Sequence, residues 1–300
     1  MKKYTVEHEY DGYEIGTYLK ETKGYSSRGL RNLEIYLNGK RIKSNTKKIK
    51  KLNRIVIIEK EKSTGIKAID IPIDIAYEDE NLLIVNKEPY IIVHPTQKKV
   101  DKTLANAVVN YFEKTLGKKL VPRFYNRLDM NTSGLIIIAK NAYTQAFLQD
   151  KTEVKKTYKV IASGIIEKDD FFIEIPIGKV GDDLRRIELS EKDGGKSAKT
   201  HIKVLERNYE KNITFLEARL YTGRTHQIRA HLSLIGHSLV GDELYGGDMN
   251  LAKRQMLHAY KLEFQNPKTL ENLKIEIDIP IDMKEVLKWY WLSFEVVVKK

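Results

Sequence analysis

The chain has no cysteine in 300 residues, which excludes disulfides, thiolate nucleophiles, cysteine-ligated zinc and redox control through thiols. It has no apolar run near the roughly 18 to 20 residues that a membrane-spanning helix needs, and its opening Met1-Lys2-Lys3-Tyr4 lacks the apolar stretch of a signal peptide. A cytoplasmic protein with no membrane partner is expected. There is no complete Gly-x-x-x-x-Gly-Lys-Ser/Thr phosphate loop, so no nucleotide cofactor is implied. His226 and His231 stand five apart, off the i, i+4 spacing that puts two ligands on one helical face. No metal is expected either.

What the chain does have is a hydrophobic content of 41% over a length that suits one large or two ordinary domains, enough to fill a sizeable core. Basic residues dominate, with 53 Lys and Arg against 41 Asp and Glu, a net charge of +12. The surplus is uneven. Residues 1–70 hold 17 Lys and Arg against 9 Asp and Glu, a net +8, leaving +4 for the other 230. A basic surplus confined to one small segment favours a polyanion, because phosphate contacts supply most sequence-independent nucleic-acid affinity. An anionic membrane fits less well, since no amphipathic anchor accompanies the charges.

Residues 1–62 read as a separate small module. Ile15, Tyr18 and Leu19 form one helical stripe, Ser26 or Ser27 caps a second helix carrying Arg28, Leu30, Arg31 and Leu33, and Asn38-Gly39 marks a tight turn. Lys47-Lys48-Ile49-Lys50-Lys51 and a strand-like Ile55 to Ile58 follow. Glu61 to Lys67, with Ser63, Thr64 and Gly65, has linker composition. This places a linker at 63–69 and a larger domain at 70–300.

In the larger domain strands are expected at Leu82 to Asn86, Ile91 to His94, Leu135 to Ala139, Tyr158 to Ala162, Phe171 to Ile177, His201 to Leu205, Thr214 to Leu220 and Lys274 to Ile279. Three helices interrupt them: one through Leu104, Ala107, Val108, Tyr111 and Phe112 up to Gly117, one over Asn141 to Asp150, and one over Thr225 to Ile235. Strands without regular helical crossovers predict an α+β fold, a mixed and mainly antiparallel sheet with helices packed on it. The tail from Trp289 to Lys300 is apolar and then basic, with no legible role.

The most informative run is Arg127-Leu128-Asp129-Met130-Asn131-Thr132-Ser133-Gly134-Leu135-Ile136-Ile137-Ile138-Ala139-Lys140. Thr132, Ser133 and Gly134 are turn formers, by side-chain hydrogen bonding or tolerance of positive φ, and Leu135 to Ile138 suits a buried strand. Asp129 therefore sits on a tight turn fixed by a core element, which is where a reactive group is held rigidly. Taken alone, Asp-x-x-Thr-Ser-Gly is more often a turn cap. The wider context overturns that reading.

The run resembles the active-site signature of the RluA-type family of RNA pseudouridine synthases, His-Arg-Leu-Asp-x-x-Thr-Ser-Gly-Leu followed by an apolar stretch and Ala-Lys. Lys156-Thr157-Tyr158-Lys159-Val160-Ile161-Ala162 is similar to that family's tyrosine motif, and Thr222-Gly223-Arg224-Thr225-His226-Gln227-Ile228-Arg229-Ala230-His231-Leu232 to its arginine motif. Upstream, Glu80 to Pro89 and His94-Pro95 match the segment that opens its catalytic domain. The resemblance spans roughly residues 70–280 with four motifs in order. One departure is Asn126, which stands where many members have histidine. Residues 1–62 resemble the S-four-type RNA-binding module that often precedes this catalytic domain.

The resemblance implies an isomerase that breaks the bond from the sugar's anomeric carbon to the base nitrogen, turns the uracil and rejoins it through carbon five. Glycoside hydrolysis normally takes two carboxylates. The motif supplies one, which suffices where no water is activated. Asp129 is then the nucleophile at the anomeric carbon or the base for a sugar proton, and the residues do not choose between these. A carboxylate ionised in a water-excluding pocket needs a cation. The resemblance supplies Arg229, whose guanidinium is expected to grip Asp129 with two charge-assisted hydrogen bonds.

By the same resemblance Tyr158 lies against the uracil and offers a hydroxyl for the carbon-five proton, while Thr132, Ser133, Arg224, His226 and Gln227 bind substrate. Gly241-Asp242 and Tyr245-Gly246-Gly247 shape the pocket wall. Arg127, two residues before Asp129, either enters the RNA helix when the uridine is flipped out or serves as a phosphate clamp or surface charge. Arg28, Arg31, Lys40, Arg41, Lys47 and Lys48 are the expected RNA contacts of the basic module. The expected partner is RNA, ribosomal or transfer, bound by a monomer. The expected target is large-subunit ribosomal RNA, with transfer RNA or a noncatalytic role in ribosome assembly as alternatives.

Overall fold

The structure, a computed structural model, describes residues 2–25, 27–31, 33–59, 65–96, 101–117 and 120–288. Ser26, residues 61–64, the Arg28 side chain and the tail Trp289 to Lys300, all singled out above, lie outside the described residues.

The first six strands and α-helices are β1 (Lys2–Thr5), α1 (Ile15–Lys23), α2 (Ser27–Leu30), β2 (Leu33–Leu37), β3 (Lys40–Ile42) and β4 (Arg54–Glu59). The strands pair in the order β1-β4-β2-β3. Ile15, Tyr18 and Leu19 of α1 are fully buried against Ile35, Ile49, Ile55 and Ile57, a core of this sheet's own. Asn38-Gly39 makes the expected two-residue turn between β2 and β3. Arg31, Lys40, Arg41, Lys47 and Lys48 are exposed. Arg41 is paired with Glu34 at 3.0 Å.

The second sheet collects β5 (Asp74–Glu78), β6 (Leu82–Lys87), β7 (Arg123–Phe124), β8 (Ser133–Ala139), β9 (Lys155–Ser163), β10 (Asp170–Ile173), β13 (Thr200–Asn208), β14 (Ile213–Leu220), β15 (Leu257–Gln265) and β16 (Asn272–Glu276). Between β10 and β13 a small ladder joins β11 (Ile177–Gly178) to β12 (Ile187–Glu188). The main order is β10-β13-β14-β9-β15-β8-β6-β5, with β16 on β15 and β7 on β8. The helices are α3 (Leu104–Leu116), α4 (Ala142–Asp150), α5 (Gln227–Leu234) and α6 (Ile281–Leu287). Among the described strands one pair is parallel, β15 with β8, so the sheet is mixed and mainly antiparallel as expected.

The strand after the Asp129 turn is the centre of this fold. All seven residues of β8 are buried, because helices cover both faces. Ile136 and Ile138 pack with Phe112 of α3 and Ile228 and Leu232 of α5, whereas Leu135 and Ile137 pack with Leu148 of α4. A strand covered on both faces reads as a continuous apolar run, and each such side chain contributes about 1.5–3 kcal/mol on burial. Gly134, at φ 113, lies where β8 meets β15, and a side chain there would collide with the Ala259 backbone. The glycine of Thr-Ser-Gly is thus required by both its φ and the close strand approach.

Two expected strands differ. Ile91 to His94 is not a strand: Tyr90 adopts φ 66 and Ile92 makes a single bridge to Thr103. Phe171 to Ile177 breaks after Ile173, where Pro176 has no N–H for the ladder. Among the described strands and α-helices, β1, β5, β7, β12, β15 and α6 carried no expectation, nor did the strands β2 and β3 beside the expected turn, and Leu33, expected on the second helix, opens β2 because α2 ends at Leu30. No described helix is long and apolar enough to cross a membrane.

Candidate active site

The turn before β8, α5 and β9 meet at a cleft of about 490 Å³ whose lining includes Asp129, Tyr158 and Arg229. Asp129 stands on a turn closed by the bond from Thr132 N–H to its own carbonyl at 3.1 Å. Its side chain is 22% exposed. Arg229 projects from the first turn of α5 and is buried. Its Nη1 donates to Asp129 Oδ2 at 3.0 Å, leaving Asp129 Oδ1 without a donor among the described residues.

The two-point grip of Arg229 falls elsewhere than expected. Nε and Nη2 donate to Asp242 Oδ2 and Oδ1, both at 2.7 Å, so the fork is closed on Asp242 and only the remaining nitrogen reaches Asp129. Asp242 is 1% exposed and would be an untenable charge without this cation. A tight loop puts it there: Asp242 N–H donates to Leu239 O and Gly247 N–H to Asp242 O. Gly241, at φ 73, allows the loop to press on the Arg254 backbone, where a side chain would collide. Gly241, Asp242, Tyr245, Gly246 and Gly247 do not line the cleft, so this stretch backs Arg229 instead of forming the expected pocket wall.

Tyr158 comes from β9 and is buried. Burial, with the Asp129 charge beside it, pushes its phenol well above the usual tyrosine range, so it stays protonated. His226 precedes α5 at φ 56, with Nε2 3.7 Å from Asp129 Oδ2, too long for a hydrogen bond. Burial holds its imidazole below the ordinary histidine value against the pull of Asp129, so the ring is uncharged near neutral pH. Arg229 is thus in direct contact with two carboxylates, Asp242 and Asp129, and Lys87 adds a further positive charge that acts on Asp129.

The remaining expected contacts separate. Arg127, Thr132, Arg224, His226 and Gln227 line the cleft. Arg127 and Arg224 are exposed, and Arg224 Nε donates to Ser197 O at 3.0 Å. Gln227 has no amide atom left for substrate: Oε1 accepts from Thr222 Oγ1 and Arg224 N–H, and Nε2 donates to Lys199 O and Thr200 Oγ1. It builds the loop that carries Arg224. Ser133 does not line the cleft, and its hydroxyl meets His258 Nδ1 at 2.9 Å on the inner side. His231 is taken up by Thr200 Oγ1 and Ile175 O.

Asn126 reaches the neighbouring strand. Its Nδ2 donates to Leu135 O at 3.2 Å and its Oδ1 accepts from Ile137 N–H at 2.8 Å, so it ties the Arg127 segment to β8. Lys156 also lines the cleft, its Nζ 5.6 Å from the Tyr125 ring centre, and burial lowers its pKa. Its position two residues before Tyr158 on a strand was the available signal that it shares that face.

The family described as RNA pseudouridylate synthase matches residues 81–234. The chain is 35% identical over 281 residues to the uncharacterized RNA pseudouridine synthase YhcT of Bacillus subtilis, covering 92% of each chain. It is 36% identical over 253 residues to ribosomal large subunit pseudouridine synthase D of Neisseria meningitidis, covering 78% of this chain and 65% of that one. It is also 36% identical over 238 residues to the Vibrio cholerae protein of that name, covering 73% of this chain and 71% of that one. Among solved structures, human RNA pseudouridylate synthase domain containing 1 superposes with a TM-score of 0.56 at 25% identity, over 69% of this chain and 83% of that one. The order of motifs, the fold and these similarities together make the chain a member of the RluA-type family of RNA pseudouridine synthases, isomerases that convert uridine in RNA to pseudouridine.

Proposed function

We propose that this enzyme acts on uridine in large-subunit ribosomal RNA, with Asp129 as the reacting group, Arg229 as its counter-ion and Tyr158 as the wall against the base. The observation that carries the site assignment is the chain of contacts Asp129–Arg229–Asp242. A guanidinium locked on Asp242 holds Asp129 Oδ2 with one charge-assisted hydrogen bond while Oδ1 stays available to the sugar. The carboxylate attacks the anomeric carbon or removes a sugar proton, and the glycosidic pair of electrons leaves on the base nitrogen. After the uracil turns, carbon five bonds to the anomeric carbon as the Asp129 carboxylate leaves it, or as Asp129 returns the sugar proton, and the carbon-five proton ends on the freed nitrogen. Atoms balance without water or cofactor.

Tyr158 supports this as a neutral ring. A phenol whose pKa is pushed up is a poor proton acceptor, so stacking and hydrogen-bond donation suit it better than service as a base for the carbon-five proton. Arg127, exposed at the cleft, is placed to occupy the gap left by a flipped uridine. Flipping costs a few kcal/mol, and such a side chain offsets part of that. The target assignment is supported by the two similar proteins named for the large ribosomal subunit. Mapping pseudouridines in total RNA from cells lacking the gene should show one or a few uridines of the large-subunit RNA left unmodified and restored by the wild-type gene. Loss confined to transfer RNA would move the target, and an unchanged map would sink the assignment.

We also propose that residues 1–62 bind RNA, on the strength of their net +8 and the exposed Arg31, Lys40, Arg41, Lys47 and Lys48. Lys47→Glu combined with Lys48→Glu should weaken RNA binding and reduce the slope of log affinity against log salt by about two. Chemistry on saturating RNA should persist. An unchanged slope would exclude these lysines from the interface.

A further inference from the structure

The four residues after Asp129, Met130 to Ser133, are each held by a different buried polar side chain. Lys87 Nζ donates to the Met130 carbonyl at 3.0 Å, Arg254 Nη1 to the Asn131 carbonyl at 3.1 Å and Gln255 Nε2 to the Thr132 hydroxyl at 3.2 Å. Ser133 Oγ meets His258 Nδ1 at 2.9 Å. All four holding side chains belong to residues exposed by 4% or less. None of the four lines the cleft, so they meet the chemistry only through the turn.

Arg254 is the member that local stability does not explain. Its charge is buried, and its compensation comes from Asp282 on α6, which accepts from Nε at 2.6 Å and Nη2 at 2.9 Å. The third nitrogen, Nη1, is left to serve the carbonyls of Asn131, Gln255 and Leu257 at 3.1, 3.1 and 3.4 Å. An apolar side chain of similar volume would pack at least as favourably as a buried ion pair, so the pair is better explained by the geometry it imposes. A fork closed on one carboxylate can point its free nitrogen in a single direction. There it reaches the backbone two residues after Asp129 and ties it to the carbonyls of Gln255 and Leu257.

We propose that Arg254, locked by Asp282, is a positioning residue: it sets the turn through the Asn131 carbonyl and so fixes where Asp129 stands relative to the sugar. This rests on the reading of Asp129 as the reacting group. Asp282 is the place to test it, because its side chain is 42% exposed and lies away from the cleft. In the full-length protein, Asp282→Asn removes the charge that orients the fork and leaves the side-chain volume nearly unchanged.

Under single-turnover conditions at saturating RNA, and at a temperature where the variant is fully folded, its rate constant should fall about tenfold to hundredfold, the scale of a misplaced reacting group. Its RNA dissociation constant should stay within about twofold, since no cleft contact changes. A wild-type rate beside a lowered melting temperature would make the pair merely structural and overturn the proposal. So would rate and affinity falling together, which would place Asp282 in RNA binding. Should Asp282→Asn not fold, Asp282→Glu keeps the charge, shifts the carboxylate and is held to the same two numbers. Asp129→Asn measured alongside separates the two readings: full activity there removes the assignment of Asp129 and this proposal with it, whereas an inactive Asp129→Asn beside a fully active Asp282→Asn removes positioning alone.

Discussion

Asp129→Asn should reduce pseudouridine formation by roughly four orders of magnitude or more, the scale of losing a reacting group, while RNA affinity stays within a few-fold. The swap removes ionisation and almost no volume. Asparagine can still accept from Arg229 Nη1 at the position Oδ2 now holds, so the side chain should remain in place. Arg229 keeps its closed fork on Asp242, which preserves the buried charge balance and the fold around it. Tritium release from RNA labelled at carbon five of uridine reads the chemistry, and filter binding reads affinity. Release near the wild-type rate would exclude Asp129 as nucleophile or base and point the search to another cleft residue.

Arg229→Lys should be nearly as damaging to the rate, by about a hundredfold to a thousandfold, the cost of losing an aimed electrostatic contact. Lysine retains charge but is a single point on a flexible stem. Arg229 now spans two carboxylates, with two nitrogens on Asp242 and one on Asp129. An ammonium can satisfy Asp242 or Asp129, and the more buried Asp242 should capture it. The control is Arg224→Lys, an exposed residue of the same motif whose Nε bonds a backbone carbonyl. Single-turnover rates, taken where both variants are folded, should separate the two by at least about tenfold. Equal losses would reduce the motif to a basic RNA contact and leave Asp129 without an assigned counter-ion.

Much of the site was legible because its motifs are local. The turn formers after Asp129, the apolar run behind them and the helix bearing Arg229 are all readable from near neighbours in the chain. The partner of Arg229's fork was not, because Asp242 in a glycine-rich stretch was read as pocket wall and its burial exists only in three dimensions. The strand from Leu257 to Gln265 escaped for a related reason. It is covered on both faces, yet it carries His258, Tyr260 and Lys261 among its apolar residues, so neither an alternating pattern nor a clean apolar run emerges. Arg254 carried no expectation, and only the structure pairs it with Asp282. Where the expected strand at Ile91 to His94 failed, the positive φ of Tyr90 overrode a run of good strand formers.

The parallel pairing of β15 with β8 also bears on the order in which the enzyme comes to exist. Ser133 and His258 touch across 125 residues of sequence. At the usual pace of translation, about 5–20 residues per second, the turn bearing Asp129 leaves the ribosome on the order of ten seconds before the strand and arginine that hold it. The basic sheet of the first 59 residues has its own core and is complete far earlier. A growing chain therefore carries its basic surface well before the turn bearing Asp129 is set.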